Sequence, residues 1–554
     1  MAITTSVDPT NVHAVIAVPS VCDFYFTSHR FSSLGAKILH NLLFKCKLKT
    51  SFYNFPLQEL ASEVVDLPNE ISYLDDHIIP LECGKLSFFT QYQRFGPPPE
   101  QCAEIICKAN PDICFISCFA FSYSNEALNL ADRIKLINPG IPVVLGGAGP
   151  SAYPLYFMRD PSIDFVLAGE AEVSTESFIN AFIYKSIEYK DIPNLYYKNE
   201  SIGFLHNRLK KETIGASSPQ IHVPELKLFS ESSQIAPLIS KVYETKKSIF
   251  YSTSITRGCS KTCRFCSNFI THGNVFKTIP LDKVRDAVAS FSSIENREKK
   301  RIYVNFEDDN LLLDAEYFIN VLKIFKQSNA EISFFAENGL DYSLLTPELL
   351  SRLIHCGMIK FNLTIASIDR EIAEMESRVL LLDQYKNVVA TLARENIGCI
   401  TYFICGFKND TKDIIAKTLA FLANHPTTIG ISLFYPVPGI HGFENLKYFD
   451  RFPPYCCNGT SAYPWNDSLP TSSLITAFRL SRYINLLKQK EHSTMESKII
   501  SKIREEKKLF TFVKTAKGPE IVSVGNSDEE LVEKTLGSVP RSTIFPVSSL
   551  PRFS

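Results

Sequence analysis

Three cysteines stand close together in mid-chain, in the run Arg257-Gly258-Cys259-Ser260-Lys261-Thr262-Cys263-Arg264-Phe265-Cys266. Their spacing is C-x3-C-x2-C, and they follow an apolar run ending at Arg257. Three thiolates on one loop can hold three irons of a cubane cluster and leave the fourth iron without a protein ligand. Such an open position is what a catalytic metal site needs to take a substrate. Structural zinc is the competing reading. It wants four protein ligands, and His272 is the nearby candidate for the fourth. The spacing, the place after a strand and the strand-helix series that follows favour iron and sulfur. The other cysteines, among them Cys22, Cys46, Cys107, Cys114, Cys118, Cys399 and Cys405, sit singly in apolar contexts and read as small buried hydrophobes. Cys456 and Cys457 are adjacent, which is poor geometry for sharing a second cluster.

Two further signals lie upstream. PVVLGGAGPSAYP puts Gly146-Gly147 at the end of one apolar run, and IDFVLAGEAEVSTESF puts Gly169-Glu170 at the end of the next. Glycine at a strand end lets backbone approach a ligand without a Cβ in the way. In an open α/β sheet, ligands bind beyond the carboxyl ends of the strands.

These groups need strands to hold them. Apolar runs at 12–19, 51–57, 112–119, 142–145 and 164–168 alternate with helical spacing at 32–44, 99–109, 124–137 and 173–184. Continuous apolar strands alternating with helices predict a parallel sheet covered on both faces. Residues 200–246 lose the rhythm, turn rich in Lys, Ser, Glu and Pro, and read as a linker. A second series follows, with strands at 252–257, 302–306, 332–336, 360–365, 399–405 and 429–434 and helices between them. Six such units predict a partial parallel barrel with its reactive groups at the carboxyl ends of the strands. Beyond 445 one amphipathic helix stands out at 472–488, and the part after Lys514 reads as a poorly ordered tail. Trp465, the one tryptophan, lies among Tyr and Pro and reads as packing.

Bulk properties narrow the function. A chain of 554 residues exceeds a single core of roughly 250–300. Its 58 basic residues against 59 acidic give no electrostatic footprint for nucleic acid. No apolar run is long enough to span a membrane, and the first residues lack the pattern of a signal peptide, so a cytoplasmic protein is expected.

The motif C-x3-C-x-aromatic-C, with Phe265 before the last cysteine, resembles the signature of radical S-adenosylmethionine (radical SAM) enzymes. The glycine pairs, with Ser117 and the early loop Ser32-Ser33-Leu34-Gly35, resemble the cobalamin-binding domain that precedes many of their barrels. The resemblance implies an α/β chain with four parts. These are a doubly wound, flavodoxin-like cobalamin-binding domain (1–199), a linker (200–246), a partial (β/α)6 radical SAM barrel (247–445) and a mostly helical C-terminal region (446–554). It implies a [4Fe–4S] cluster on Cys259, Cys263 and Cys266, whose open iron chelates S-adenosylmethionine. It further implies that Phe265, Glu307, Asn338, Ser367 and Gly406 contact S-adenosylmethionine, with Asn338 in a Glu-Asn-Gly element. Ser117, Gly146, Gly147, Ala148 and Gly169 are the implied cobalamin positions. Two departures stand out: the usual Gly-Gly-Glu is absent around Glu307, and no D-x-H-x-x-G supplies a histidine to cobalt. Pro436-Val437-Pro438-Gly439 resembles a segment of cobalamin-linked members.

The activity so implied is reductive cleavage of S-adenosylmethionine to start radical chemistry on an unactivated carbon, with cobalamin-dependent methyl transfer as its outcome. Radical cyclisation or rearrangement without methyl transfer, and a non-catalytic cofactor-binding protein, are the alternatives. An RNA methylthiotransferase ranks low, because the N-terminal cysteines are scattered through apolar segments. A small-molecule or peptide substrate and a reductant such as flavodoxin or ferredoxin are the expected partners, with neither nucleic acid nor membrane.

Overall fold

The computed structural model describes residues 8–27, 31–58, 62–199, 220–228, 238–295, 300–328, 331–539 and 547. The first sheet begins with His13–Val18, buried throughout. Its alternate residues part to opposite faces. Ala14, Ile16 and Val18 pack with Leu43, Phe178 and Ile179, while Val15 and Ala17 pack with Ile106, Leu130 and Ile134. A strand with both faces covered has no polar side to show, hence the continuous apolar run. Five parallel strands lie in the spatial order Lys49–Asn54, His13–Val18, Ile113–Ser117, Val143–Gly146, Phe165–Leu167. This is the 2-1-3-4-5 order of a flavodoxin-like fold, and the order reverses between the first and third strands. Leu195–Lys198 and Ile221–His222 extend the sheet antiparallel.

The second unit is a parallel series in chain order: Ser248–Ser254, Arg301–Phe306, Ile332–Phe335, Lys360–Ala366, Gly398–Cys405 and Thr428–Leu433. Single parallel bridges, Phe334 to Met358 and Leu340 to Leu363, join its third and fourth strands. The expected six-unit open barrel is therefore present. The expected linker is structured where it is described. Its Ile221–His222 belongs to the first sheet, and its Leu238–Glu244 pairs antiparallel with the first barrel strand.

The C-terminal region corrects the sequence reading. Thr471–Leu487 packs below the last barrel strand, where Asn485 bonds both the N–H and the C=O of Ile429 at 2.8 Å. Past Lys514, however, there is no loose tail as far as residue 539. Phe510–Thr515 and Gly518–Ser523 form a hairpin, and Glu529–Ser538 is a helix. The hairpin adds to Glu82–Cys83 of the N-terminal part. Beside that seam the buried Arg479 grips buried Glu82, with Nη2 3.2 Å from Oε2. The rest of the expected tail, apart from residue 547, lies outside the described residues.

Candidate functional site

The cysteine loop leaves the first barrel strand through Gly258, whose φ of 74° is left-handed and whose Cβ would fall 2.1 Å from the carbonyl oxygen of Val275. Only glycine fits there. The next barrel strand ends in Glu307-Asp308-Asp309-Asn310, and three of these four side chains serve the loop. Buried Asp308 accepts from the N–H of Ile255 at 2.9 Å and from the N–H and hydroxyl of Thr256. Burial pushes its carboxyl up to about 7 against those bonds. Asp309 accepts from the N–H of Gly258 at 2.9 Å, and Asn310 directs its amide at Cys259 Sγ, 3.8 Å away.

The thiols of Cys259, Cys263 and Cys266 line one cavity of about 810 Å³ at the carboxyl ends of the barrel strands. Arg378 approaches Cys263 Sγ at 3.7 Å while bonding Thr364 twice at 3.1 Å. Lys261, inside the loop, grips Asp341. Burial pushes the Cys266 thiol up to about 11, so a bound cation is what makes its thiolate favourable.

The three thiols suit a cubane, whose fourth iron needs no protein ligand. His272, the candidate fourth ligand, is engaged elsewhere: its Nδ1 is 2.9 Å from Glu170 Oε1 of the first domain. Around the thiols, Asn310 Oδ1 and Asn268 Nδ2 are buried without a hydrogen-bond partner, as polar atoms that await a bound group are.

The implied S-adenosylmethionine positions divide. Phe265 and Asn338 line the cavity. Phe265 meets Phe407 at a tilt, with ring centroids 5.5 Å apart, and Asn338 bonds the carbonyl of Glu307 at 2.9 Å. Glu307, Ser367 and Gly406 are absent from the cavity wall. Glu307 turns away and accepts from the hydroxyl of Ser32 at 2.6 Å. Ser367 is buried, and its hydroxyl accepts from the N–H of Asp369 at 3.1 Å. The register of the fourth barrel strand slips between Thr364 and Ala366, and Ala366 takes a left-handed φ of 59°. That bulge puts Ala366 on the wall in place of Ser367. Gly406, with φ of 104°, faces Leu474 of the C-terminal helix. Asp309, Asn310, Glu337, Arg378, Tyr402 and His441 are wall residues the sequence reading passed over. For Glu337, beside Asn338, the signal was present in Glu-Asn-Gly; its carboxylate is held by Lys360 at 2.7 Å and Asn362 at 2.9 Å.

The implied cobalamin positions converge on three adjacent strand ends. Ser117 pairs with Gly146, the N–H of Gly149 donates to Cys118 at 3.1 Å, and that of Gly169 donates to Ser151 at 2.8 Å. Gly147 has φ of 113°, and its Cβ would lie 2.4 Å from the carbonyl oxygen of Cys118. None of the five positions bears more than a hydroxymethyl group, so the strand ends offer nearly bare backbone. That suits the edge of a broad macrocycle. This rim faces the cysteine loop. Ala148–Ala152 packs against Asn268–His272, and Glu170 reaches both His272 and, at 3.8 Å, Arg257.

Comparison with known proteins matches the same two units. The sequence pattern of the radical SAM superfamily matches residues 253–422, and that of the B12-binding domain matches 88–179. An uncharacterised methyltransferase of Pyrococcus horikoshii is 26% identical over 320 residues, 58% of this chain and 65% of its own. The bacteriochlorophyllide d C-12(1)-methyltransferase of Chlorobaculum tepidum is 28% identical over 194 residues, 35% of this chain and 41% of its own. The chain thus spans less than two thirds of the length of these relatives. A radical S-adenosylmethionine methyltransferase of Kitasatospora setae, solved with tryptophan and an S-adenosylmethionine analogue, shares the fold. Its TM-score is 0.53 at 14% identity, over 77% of this chain and 74% of that one.

Proposed function

We propose, for a chain that is a radical SAM protein with an N-terminal cobalamin-binding domain, that it cleaves S-adenosylmethionine reductively and methylates an unactivated carbon. The observation that carries this reading is the barrel-mouth cavity, with the first domain packed against the loop that lines it. Three thiols of one loop line the cavity, His272 is engaged elsewhere, and the glycine-rich rim of the first domain faces the same loop. When bound, the cluster supplies the electron that splits the sulfonium, and the corrin supplies the methyl group.

The chain's own residues supply the holding and the orientation. Cys259, Cys263 and Cys266 hold the cluster. Asn310 and Arg378 point N–H groups at two of the three sulfurs, which steadies the charge that reduction adds. Asn338, with Glu337 beside it, holds S-adenosylmethionine near its adenosyl group, and Phe265 with Phe407 closes an apolar side. Ser117, Gly146, Gly147, Ala148 and Gly169 seat cobalamin by backbone. Glu307, Ser367 and Gly406 act behind this wall and shape it. The substrate is a small molecule or peptide, and the electron comes from a flavodoxin or ferredoxin in the cytoplasm. Among the described residues no helix is long and apolar enough to cross a membrane.

The test is anaerobic reconstitution with iron, sulfide and hydroxocobalamin, read by absorption and electron paramagnetic resonance, then an assay for 5′-deoxyadenosine and methylated product. A reducible [4Fe–4S] signal that disappears in the Cys259/Cys263/Cys266→Ala variant, with corrin bands retained, is the expected result. A cluster without bound corrin would sink the methyl transfer, and the absence of both signals would overturn the whole reading.

A further inference from the structure

A second cavity, of about 240 Å³, lies away from the cysteine loop, where the segment between the second strand and second helix of the first domain folds back over it. That segment builds a small sheet from Ser62–Val64 and Gln93–Phe95 together with Val21–Asp23, which follows the first strand. The sheet closes over the first turns of the helices Pro99–Lys108 and Ser124–Ile137. The floor carries Glu126 on the second of these helices, 9% exposed. Its Oε2 is buried and accepts no hydrogen bond from the described residues. Arg94, on the central strand of the sheet, lines the same cavity. Its Nη2 grips Glu63 outside, while its buried Nε has no partner among the described residues. The rings of Tyr92 and Tyr455 form apolar walls, and exposed Asp66 and Asn129 mark the rim.

Glu126 and Arg94 line one cavity, and each keeps a buried polar atom unsatisfied among the described residues, a costly pair for a fold to leave without a partner. Water alone could meet them, but a carboxylate and a guanidinium on one wall match a single molecule with the opposite charges. Burial pushes the Glu126 carboxyl up to about 8, and a cation placed beside it restores the charged form. The volume is that of about eight water-sized groups, enough for an amino acid and far too little for a nucleotide or a corrin.

We propose that this cavity binds a free amino acid as a zwitterion, with its ammonium on Glu126 Oε2 and its carboxylate on Arg94 Nε. The site is independent of the cluster and of the methyl-transfer reading. No described residue lines both it and the cavity of the cysteine loop.

The full-length protein, free of added cofactor, is titrated with each of the twenty amino acids by thermal shift and calorimetry. Every binder is compared with its decarboxylated amine and its deaminated acid. At least one amino acid is expected to bind while both of its halves fail. Glu126→Gln is expected to weaken it ~10-fold or more, with the affinity for S-adenosylmethionine in the reconstituted protein unchanged. Asn129→Trp, placed on the exposed rim where folding is not at stake, is expected to block entry and weaken it as much. If none of the twenty binds, or if binding survives both variants, the proposal is overturned.

Discussion

The two sets of strand ends that face each other are built by opposite means. At the barrel mouth charged side chains are held by fixed partners. Asp308 and Asp309 tether the cysteine loop, Lys261 grips Asp341, and Lys360 and Asn362 hold Glu337. At the first domain's rim the chain offers glycine, alanine and one serine, positioned by backbone hydrogen bonds. A charged cluster that changes oxidation state needs donors and acceptors fixed in advance, because reorganising them would add to the barrier. A neutral macrocycle edge needs space, and any Cβ would be in its way. The comparison teaches that side-chain chemistry resides in the barrel and shape resides in the first domain.

That contrast can be broken most forcefully at the cysteines. Replacing Cys259, Cys263 and Cys266 by Ala is expected to abolish cluster absorption and 5′-deoxyadenosine formation while corrin retention stays near that of the parent. A common loss of both would show that the two rims do not act separately. Gly147→Val comes next. At φ of 113° and with Cys118 in the way, it is expected to cost about 2–3 kcal/mol and to remove corrin binding. The cluster signal of the folded fraction is expected to persist, as denaturant unfolding and electron paramagnetic resonance would show. Glu170→Gln tests the seam between the rims. Losing the charge that faces His272 and Arg257 is expected to cost about 1–2 kcal/mol. Amide exchange is expected to rise in the helix Asn268–His272, and unchanged exchange there would show that the seam does not depend on this carboxylate.

The smallest effect is a pH dependence behind the wall. Burial pushes Asp410 up to about 7, although it accepts from the N–H groups of Gly406 at 2.8 Å and Phe407 at 3.1 Å. A carboxyl raised in the folded state holds its proton there longer than in the unfolded chain. The folded state therefore binds more protons between the ordinary carboxylate range and about 7, and stability falls as pH rises through that window. Asp410→Asn is expected to flatten that decline. Melting temperatures at about pH 5 and about pH 8 for both proteins check it.

Legibility in the sequence followed the range of the interaction that fixes each feature. Ser124–Ile137 has the ends that its helical spacing announces, because apolar period and flanking turn residues are both local. Five of the six barrel strands are legible for the same reason, while the first, expected at 252–257, lies at Ser248–Ser254 and the strand breaks before Thr256–Arg257. The site was legible where one loop contains it, as with Cys259, Cys263, Cys266 and Phe265. It was not legible where a side chain could turn either way. Glu307, Asp308, Asp309 and Asn310 are all polar and consecutive, and the sequence does not say which of them meets the cavity. The first domain decides: Ser32 draws Glu307 outward, and the loop amides take the next two. Ser367 was misplaced by a one-residue bulge that exchanges the faces of the strand end. The part of the 510–523 hairpin past Lys514 reads as tail, because the strand that anchors the hairpin, Glu82–Cys83, is more than 400 residues away.

By itself, then, the sequence determined the order of elements, the two-unit plan, and the triad with its aromatic neighbour. These rest on periodicity, glycine punctuation and spacing, all expressed within a few residues. Tertiary structure alone decided that His272 is taken by Glu170, that Arg378 and Asn310 attend the thiols, and that the C-terminal hairpin closes on the N-terminal part. Each of these is a contact between segments the chain separates widely, and long-range pairing is fixed by how whole layers pack, not by local preference.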